Sequence, residues 1–439
     1  MTPFLEKAHD HLLTGLEAAK RRGVAGAKLS FGRHESLDCE YESGRLKTAG
    51  AHENAGFSLE VLVDGRLGTA SGNRFEDLDR LLEDAIALAA VGRQAHFDAW
   101  PAPGSATAVA THSEQAAALS RDDLLAPCAE IVDALKAFDS ELRVDAWTSR
   151  SESESLLVTS GGVLHSAQKT NWSLGGHAQR TQGTDILMTG HGRGWGEVNE
   201  HFSAKPIIDC VLEDLRRAER LVEPPSGLVP AFLPPESLSM FLWPLSLGIN
   251  GRNVAKGDSP LAGRLGERLL APCFTITDRP HADFAPGAAS MDGDGIPTRE
   301  QVLVREGVLQ RFLYDLDSAG LAGAEPTGNS GCRPYHPVLR PGSRHSDQLL
   351  AGIKDGIVIR DLIGFGQSNI LNGDFSANVG LGFRVQNGEV VGRIKDCMVA
   401  GNLYELLSLD DVELSSDLDY QNATPHAVLP AVAVSSRPR

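Results

Sequence analysis

Two His-Glu pairs in the first half of the chain have the residue types of a catalytic zinc site. A helix that carries H-E-x-x-H or H-E-x-x-x-H holds Zn²⁺ between its two histidines and activates water with its glutamate. The pairs are His34–Glu35 and His52–Glu53, and neither is followed by a second histidine at either spacing. Both also lie in segments typical of strands or turns, where alternate side chains point to opposite faces. We therefore predict solvated histidines at these positions and no zinc site.

A cysteine, an acidic run and several separated histidines are the other candidates for chemistry. Cys332 follows a polar, glycine-rich run, and the adjacent Arg333 favours its thiolate form; an inert structural thiol is the default interpretation and a nucleophile is the alternative. Asp292–Gly295 resembles the start of a calcium loop, but Ile296 occupies the next ligand position and no glutamate closes the loop, so we predict an acidic turn. The histidines that a fold could bring together are His191, His201, His281, His336 and His345.

Composition excludes several classes of protein. The chain has 439 residues, enough for two to three domains, and its formal net charge of −17 argues against nucleic acid as a partner. It contains no apolar run long enough to cross a membrane, no P-loop and no G-x-S-x-G motif. The N-terminus has no apolar signal segment, and the six cysteines form no C-x-x-C pair, so we predict a cytoplasmic protein with reduced thiols.

Helices and antiparallel strands are both predicted in the first half. Ser120 is a predicted N-cap, and Pro127 is expected to kink or restart the helix that follows it. The turn Asp64–Gly65 predicts a hairpin, residues 142–196 are typical of a β meander, and the prolines in Glu223–Gly227 indicate a linker. Apolar periodicity predicts helices over 4–19, 75–91, 121–138 and 207–221, and strands over 27–31, 36–41, 57–63 and 66–70.

Strand patterns dominate the second half. A helix is predicted over 235–248, bent near Pro244, and Asn387–Gly388 is a hairpin turn. The tail after Pro425 is predicted to pack loosely. The predicted strands are 228–232, 269–277, 301–304, 308–314, 356–363, 383–386 and 389–391. The predicted fold class is α+β, with an N-terminal α+β domain of amphipathic helices and antiparallel strands over 1–225 and a C-terminal β-rich, barrel-like domain over 226–439.

A series of short motifs occurs in a specific order along the second half. They are Asp292–Thr298, Glu306–Leu309, Thr327–Asn329, Gly364–Gly366, Asn372–Ser376, Gly382–Glu389 and Val399–Leu403. Asp64–Ser71 in the first half belongs to the same pattern. In this order the motifs resemble the TldD/PmbA family of peptidases, also called "modulator of DNA gyrase", and the resemblance extends over essentially the whole chain.

The resemblance implies which kind of subunit this chain is. The family's TldD-type subunit carries an H-E-x-x-x-H zinc signature on the first helix of its C-terminal domain, and the PmbA (TldE) type lacks it. The corresponding segment here, Ser239–Gly248, contains no His, Glu or Asp. The resemblance therefore implies a PmbA/TldE-type subunit with no cofactor of its own. Its partner would be a TldD-like zinc metallopeptidase subunit, and together they would process unfolded peptides.

Strand edges and nearby loops can hold an extended peptide through backbone hydrogen bonds. The candidate groove residues are Asn329, His336, Asp374, Phe375, Ser376 and Asn402, for each of which a turn or packing role is the alternative. No catalytic residue is assigned. Two other functions stay open, namely an autonomous hydrolase that uses Cys332 or another nucleophile, and a non-enzymatic homodimer that binds peptides. The negative charge argues against DNA binding despite the family's older name.

Overall fold

The N-terminal half is built on one six-stranded antiparallel sheet. The computed structural model describes residues 3–421 and 423–436 of the protein. The strands of this half are β1 (Gly26–Glu42), β2 (Arg45–Val63), β3 (Arg66–Gly72), β4 (Arg143–Thr159), β5 (Leu164–Gln182) and β6 (Asp185–Trp195). Its helices are α1 (Pro3–Arg21), α2 (Leu78–Ala89), α3 (Glu114–Ala117), α4 (Arg121–Phe138) and α5 (Lys205–Arg217). The strand order across the sheet is β3-β2-β1-β4-β5-β6.

The long helices of this half pack on one face of that sheet. Leu29 of β1 lies in a core cluster with α1 and α2, and Cys39 of the same strand packs with Leu124 of α4. Leu29 and Cys39 are an even number of residues apart, so they share one face of β1. Helix α5 joins α4 in a further cluster against β4 and β5. The opposite face, which carries Lys28 and Ser30, is free of these helices and polar.

The four helices predicted in the first half are confirmed, whereas the interruption predicted at Pro127 is wrong. Ser120 forms a capping box with Asp123, in which each side chain bonds the other residue's backbone N–H. Pro127 does not interrupt the helix, because α4 runs unbroken from Arg121 to Phe138. The hairpin at Asp64–Gly65 is also confirmed, since Val63 pairs directly with Arg66.

The strands of this half are longer than predicted. The separate strands expected over 27–31 and 36–41 are one strand, β1, and β2 begins at Arg45 rather than near residue 57. The polar residues 32–35 in the middle of β1 pair with β2 on one side and β4 on the other. The two neighbouring strands thus provide hydrogen-bond partners for the backbone of these residues. The prediction missed them because they lack the apolar alternation by which strands are detected in a sequence.

The C-terminal half contains a five-stranded barrel. The strands of the C-terminal half are β7 (Gly227–Leu233), β8 (Ile276–Asp278), β9 (Gln301–Arg305), β10 (Val308–Leu309), β11 (Pro337–Leu339), β12 (Asp355–Ile363), β13 (Asp374–Gln386), β14 (Glu389–Ile394), β15 (Cys397–Asn402), β16 (Glu413–Leu418) and β17 (Pro425–Ser436), and of these β8–β11 form a separate four-stranded sheet. Its helices are α6 (Pro235–Phe241), α7 (Trp243–Gly248), α8 (Gly251–Ala255), α9 (Leu316–Ala322), α10 (Ser346–Ala351) and α11 (Leu403–Ser408). Strands β12, β7, β17, β15 and β13 pair in turn, and β13 pairs back onto β12. The α+β fold class and the barrel-like C-terminal part are therefore confirmed.

Three predictions for this half are wrong. The segment 308–314 is a strand only over Val308–Leu309, because the Leu313 N–H bonds the Ile249 carbonyl at 3.0 Å instead of β9. The segment 269–277 is a strand only over Ile276–Asp278, because the backbone N–H of Leu269 instead bonds the Gly307 carbonyl in a loop, at 2.8 Å. The tail does not pack loosely, since β17 lies in the barrel wall and buries four apolar side chains after Pro425. Pro430 sits at a register shift of β17, where the ladder does not need its missing N–H. The buried residues are Ala427, Leu429, Val432 and Val434.

The two halves share buried contacts. A core cluster combines Ile207 and Leu215 of α5 with Phe383 and Val385 of β13. Arg393 of β14 also donates to the Asp185 carboxylate of the first half at 3.0 Å. These contacts hold α5 against the barrel strands, next to the start of α6. No helix in the described part of the chain is long and apolar enough to cross a membrane.

Candidate functional site

The segment where the resemblance expects a zinc signature forms two short helices. Helix α6 ends at Phe241 and α7 begins at Trp243, with Pro244 in its first turn. Proline lacks the N–H that a continuous helix needs, so the predicted 235–248 helix is divided rather than bent. Its side chains on one side line a cavity of about 290 Å³. Those lining side chains are Ser239, Leu242, Leu245, Ser246 and Ile249.

The wall opposite these helices contains a histidine and a tyrosine that are neutral at pH 7. His336, 8% exposed, and Tyr335 both line the cavity. Burial lowers the pKa of His336 and raises the pKa of Tyr335 to about 12. Trp195 of the first half packs edge-on against the His336 ring, with 6.0 Å between ring centroids. Apolar residues form most of the remaining lining, so the cavity suits an apolar group better than a charged one.

A buried polar group, which we call the loop cluster, fixes the segment that carries His336. It consists of Asp278, Gln301, Asn329 and the backbone of 335–336. Asp278 Oδ1 accepts from the N–H groups of Tyr335 and His336, both at 2.8 Å. Asn329 Nδ2 donates to Asp278 Oδ2 at 3.0 Å, and Gln301 Nε2 donates to Asn329 Oδ1 at 2.8 Å. Asn329 is 0% exposed, so its side chain holds the loop and does not face an open groove.

The other four groove candidates lie together on the barrel, away from the β8–β11 sheet that carries the loop cluster. Asp374 pairs with Asn402 across β13 and β15, and Asn402 Nδ2 donates to Asp374 Oδ1 at 2.9 Å. Asn402 Oδ1 also caps α11. Asp374 and Ser376 are exposed, whereas Phe375 is 3% exposed and packs against Phe241 of α6. None of the four lines the 290 Å³ cavity, and a groove role for them stays a prediction.

The residues present do not fit the zinc of the family's signature. The cavity face of α6 and α7 offers hydroxyl and apolar groups only. Within the described ranges, no group of three His, Cys, Asp or Glu side chains is placed to hold a metal ion. The His34–Glu35 and His52–Glu53 pairs lie in β1 and β2, in the strand context that was predicted.

The structure argues against Cys332 as a nucleophile. The residue is 1% exposed, and its Sγ lies 3.1 Å from Ser318 Oγ and accepts from the Asp315 N–H at 3.4 Å. Burial raises the pKa of its thiol, which disfavours the thiolate that would attack a substrate. The default interpretation of Cys332 as a structural thiol is the one that its environment supports.

The acidic run Asp292–Gly295 is a turn, as predicted. Asp292 Oδ1 accepts from the N–H groups of Asp294 and Ile296, both at 2.9 Å. Lys28 of β1 donates to Asp294 Oδ1 at 2.7 Å. Burial raises the pKa of Asp292 to about 6. The turn therefore anchors the C-terminal half on the polar face of the first sheet.

A second, larger cavity of about 840 Å³ lies next to this turn, and the sequence reasoning missed it. Residues from β1, β2, β4 and β5 line it together with segments 109–112 and 288–293. Small hydroxyl residues recur in its strands: Ser30, Ser58, Ser153, Ser155 and Ser166. The serines that recur on several predicted strands could have indicated this cavity, but the sequence alone does not show which strands are neighbours.

Sequence comparison identifies two domains of one family in this chain. A model of the "PmbA/TldA metallopeptidase C-terminal domain" matches residues 226–436, and a model of the "PmbA/TldA metallopeptidase domain 1" matches residues 27–89. A protein named "Metalloprotease" from Methanothermobacter thermautotrophicus is 28% identical over 403 residues, covering 88% of this chain and 87% of that protein. The "Metalloprotease TldD homolog" of Haemophilus influenzae is 27% identical over 235 residues, covering 51% of this chain and 48% of that protein.

Solved structures share the fold over nearly the whole chain. TldE from Thermococcus kodakarensis superposes with a TM-score of 0.88 at 21% identity, covering 97% of this chain and 100% of that one. A Bacteroides thetaiotaomicron protein whose description proposes a modulator of DNA gyrase superposes with a TM-score of 0.89 at 23% identity, covering 98% and 99%. Because two domain models of the family match this chain and its fold agrees with these structures over nearly its whole length, the chain belongs to the TldD/PmbA family.

Proposed function

We propose that this chain is the PmbA/TldE-type subunit of a cytoplasmic TldD/TldE-like metallopeptidase. It binds no catalytic metal itself, pairs with a zinc-bearing TldD-type subunit, and helps to hold unfolded peptide during cleavage. The observation that carries the proposal is the α6–α7 face, which offers only serine and apolar side chains to the cavity, in the segment where the resemblance expects the family's zinc signature. The relatives' metalloprotease names support the reaction class.

The two cavities support a role in holding peptide. The 290 Å³ cavity has the size and lining to take an apolar side chain, whereas the serine hydroxyls of the 840 Å³ cavity can form hydrogen bonds with a peptide backbone. The six cysteines are all free thiols in the described residues, which agrees with a reducing compartment.

Co-purification tests the pairing directly. The chain is expressed alone and together with an H-E-x-x-x-H homologue from the same genome, and zinc content and cleavage of an unfolded peptide are measured for each preparation. We expect substoichiometric zinc and no cleavage for the chain alone, and a stable complex that contains zinc and cleaves. Stoichiometric zinc and cleavage by the isolated chain would refute the proposal. A homodimer that binds peptide, ignores the homologue and cleaves nothing would favour the non-enzymatic alternative.

A cavity-filling variant tests the contribution of this subunit to substrate binding. Ser246→Phe places a ring in the 290 Å³ cavity, and Ser408→Phe on α11 is the control outside it. We expect Ser246→Phe to raise the KM of the complex for peptides with apolar side chains and to leave pairing intact, with no such change for the control. An unchanged KM in Ser246→Phe would exclude this cavity from substrate binding.

A further inference from the structure

A group of charged and nucleophilic side chains meets where the two halves join; we call it the junction cluster. Its members are Cys210 and Asp214 of α5, His191 of β6, Glu236 of α6 and Arg360 of β12. Arg360 Nη2 lies 3.1 Å from Cys210 Sγ and 3.1 Å from Asp214 Oδ2. Arg360 Nη1 lies 3.4 Å from Glu236 Oε2. One guanidinium thus contacts a thiol and two carboxylates from both halves.

A second cation faces the same thiol. His191 Nδ1 lies 3.1 Å from Glu236 Oε1. Burial alone would lower the pKa of His191, but hydrogen bonds with Cys210 and Glu236 outweigh burial and raise it to about 9. At pH 7 the imidazole is therefore protonated, and Glu236 is ionised because His191 and Arg360 hold the pKa of its carboxyl well below the usual range.

This environment distinguishes Cys210 from the other five cysteines. Burial raises the pKa of the thiols of Cys39, Cys128, Cys273, Cys332 and Cys397, to about 12 for Cys128 and about 11 for Cys273 and Cys397. Cys210 is partly exposed and has both a guanidinium and an imidazolium as neighbours. Nearby cations stabilise a thiolate, which is the nucleophilic form of cysteine.

We infer that Cys210 is a reactive thiol that forms mixed disulfides with low-molecular-weight disulfides. The Cys210 thiolate attacks one sulfur of the small disulfide, a new S–S bond to Cys210 forms, and the original S–S bond breaks. The second sulfur leaves as a thiolate that takes a proton from solvent. The exchange needs no reactant other than the disulfide, and a small thiol reverses it.

The modification site lies where it affects both halves. A sulfur substituent on Cys210 competes for the space that Arg360 occupies at 3.1 Å, and Arg360 also contacts Glu236 in the first turn of α6. We therefore expect mixed-disulfide formation to loosen the contact between α5 and α6. Two further charged or titratable groups border the cluster: Arg193 on β6, whose Nη2 lies 3.5 Å from His191 Nε2, and His426 on β17, which interacts with Glu236 and Arg360.

Site-resolved alkylation of the full chain tests the inference. Iodoacetamide is added in limited amount between pH 5 and 9, and the rate at each cysteine is read by mass spectrometry. Cys273 is the matched control, because it is also partly exposed but lacks the paired cations. At pH 7 we expect Cys210 to react at least about tenfold faster than Cys273 and to form the adduct with oxidised glutathione. Equal rates at the two sites, or an adduct only at other cysteines, would overturn the inference.

A variant of His191 separates reactivity from simple exposure. His191→Asn removes the imidazolium and leaves the Arg360–Asp214 pair in place, so the fold is retained. We expect the rate of Cys210 alkylation at pH 7 to fall several-fold, while the rate at Cys273 stays the same. If His191→Asn leaves the rate at Cys210 unchanged, the cations do not activate the thiol and the inference is wrong. Cys210→Ser must abolish the glutathione adduct.

Discussion

The loop cluster and the junction cluster each stabilise a buried carboxylate, but with different kinds of partner. In the loop cluster, Asp278 is held by neutral donors, namely two backbone N–H groups and the Asn329 amide. In the junction cluster, Asp214 is held by the Arg360 guanidinium, and Glu236 is shared between Arg360 and His191. Neutral donors fix the shape of one loop, whereas the charged pairs tie the two halves together.

The two clusters respond to acid in opposite directions. Burial raises the pKa of Asp278, so its contribution to stability is present at low pH and is lost as pH rises through that pKa. Burial alone would raise the pKa of Glu236, but His191 and Arg360 lower it to about 2. The contribution of Glu236 to stability is therefore present above the ordinary pKa of a glutamate and is lost as pH falls through the lowered value. The difference follows from whether the partners of the carboxyl group are neutral or cationic.

Removing the cation of the junction cluster has the largest expected effect. Arg360→Met leaves Asp214, which is 3% exposed, as a buried charge whose guanidinium partner is gone. We expect the free energy of unfolding to fall by about 3–5 kcal/mol, measured by denaturant titration. The control is Arg384→Met, which breaks a pair with the half-exposed Asp355 and is expected to cost less than about 1 kcal/mol. Equal losses in the two variants would mean that burial does not distinguish the pairs.

Removing a neutral member of the loop cluster is expected to cost less. Asn329→Ala deprives Asp278 Oδ2 of a donor and Gln301 Nε2 of an acceptor, all in a buried setting. We expect a loss of about 2–3 kcal/mol in the free energy of unfolding, together with faster hydrogen exchange at the Tyr335 and His336 amides. A loss as large as that of Arg360→Met would remove the distinction between neutral and charged clusters.

Local signals predicted much of the fold but little of either cluster. Ser120, Asp64–Gly65 and Asn387–Gly388 act within a few residues, so their capping and turn roles are readable from sequence. The strand β17 was misjudged, because its prolines and alanines resemble a loop and only pairing with β7 and β15 makes it a strand. Pairing of this kind is a long-range property that composition does not reveal.

The clusters themselves join residues that are far apart in sequence. His336 and Asn329 were named as candidates and do lie in one region, but their anchor Asp278 was not named. In the junction cluster, Arg360 and Asp214 are 146 residues apart, so no motif spacing could indicate their contact. The lack of metal ligands where the zinc signature is expected could be predicted, because it depends only on which residues one short segment contains. The 840 Å³ cavity could not be predicted from the sequence, because its lining depends on which strands are neighbours in the sheet.

The pH dependence of stability tests the charge of the junction cluster. The pKa of His191 is raised to about 9, so its contribution is fully present below about pH 6.5, its ordinary pKa, and is lost as pH rises towards 9. We expect the free energy of unfolding to fall by about 2 kcal/mol over this range. His191→Asn should flatten this slope. His34→Asn, whose ring contacts Ser153 at 2.9 Å rather than a carboxylate, should retain it; a slope that survives in His191→Asn would assign the effect to other groups.

The smallest effect is expected where an asparagine makes similar bonds at the surface. Asn402, like Asn329, uses both ends of its amide, accepting from the Tyr404 N–H at 3.0 Å and donating to Asp374 Oδ1 at 2.9 Å. Asp374 is exposed and Asn402 is only partly buried, so water replaces most of the lost bonds in Asn402→Ala. We expect a loss of about 1 kcal/mol in the free energy of unfolding, the usual value for a helix cap. A loss equal to that of Asn329→Ala would show that bond number, and not burial, sets the cost at both asparagines.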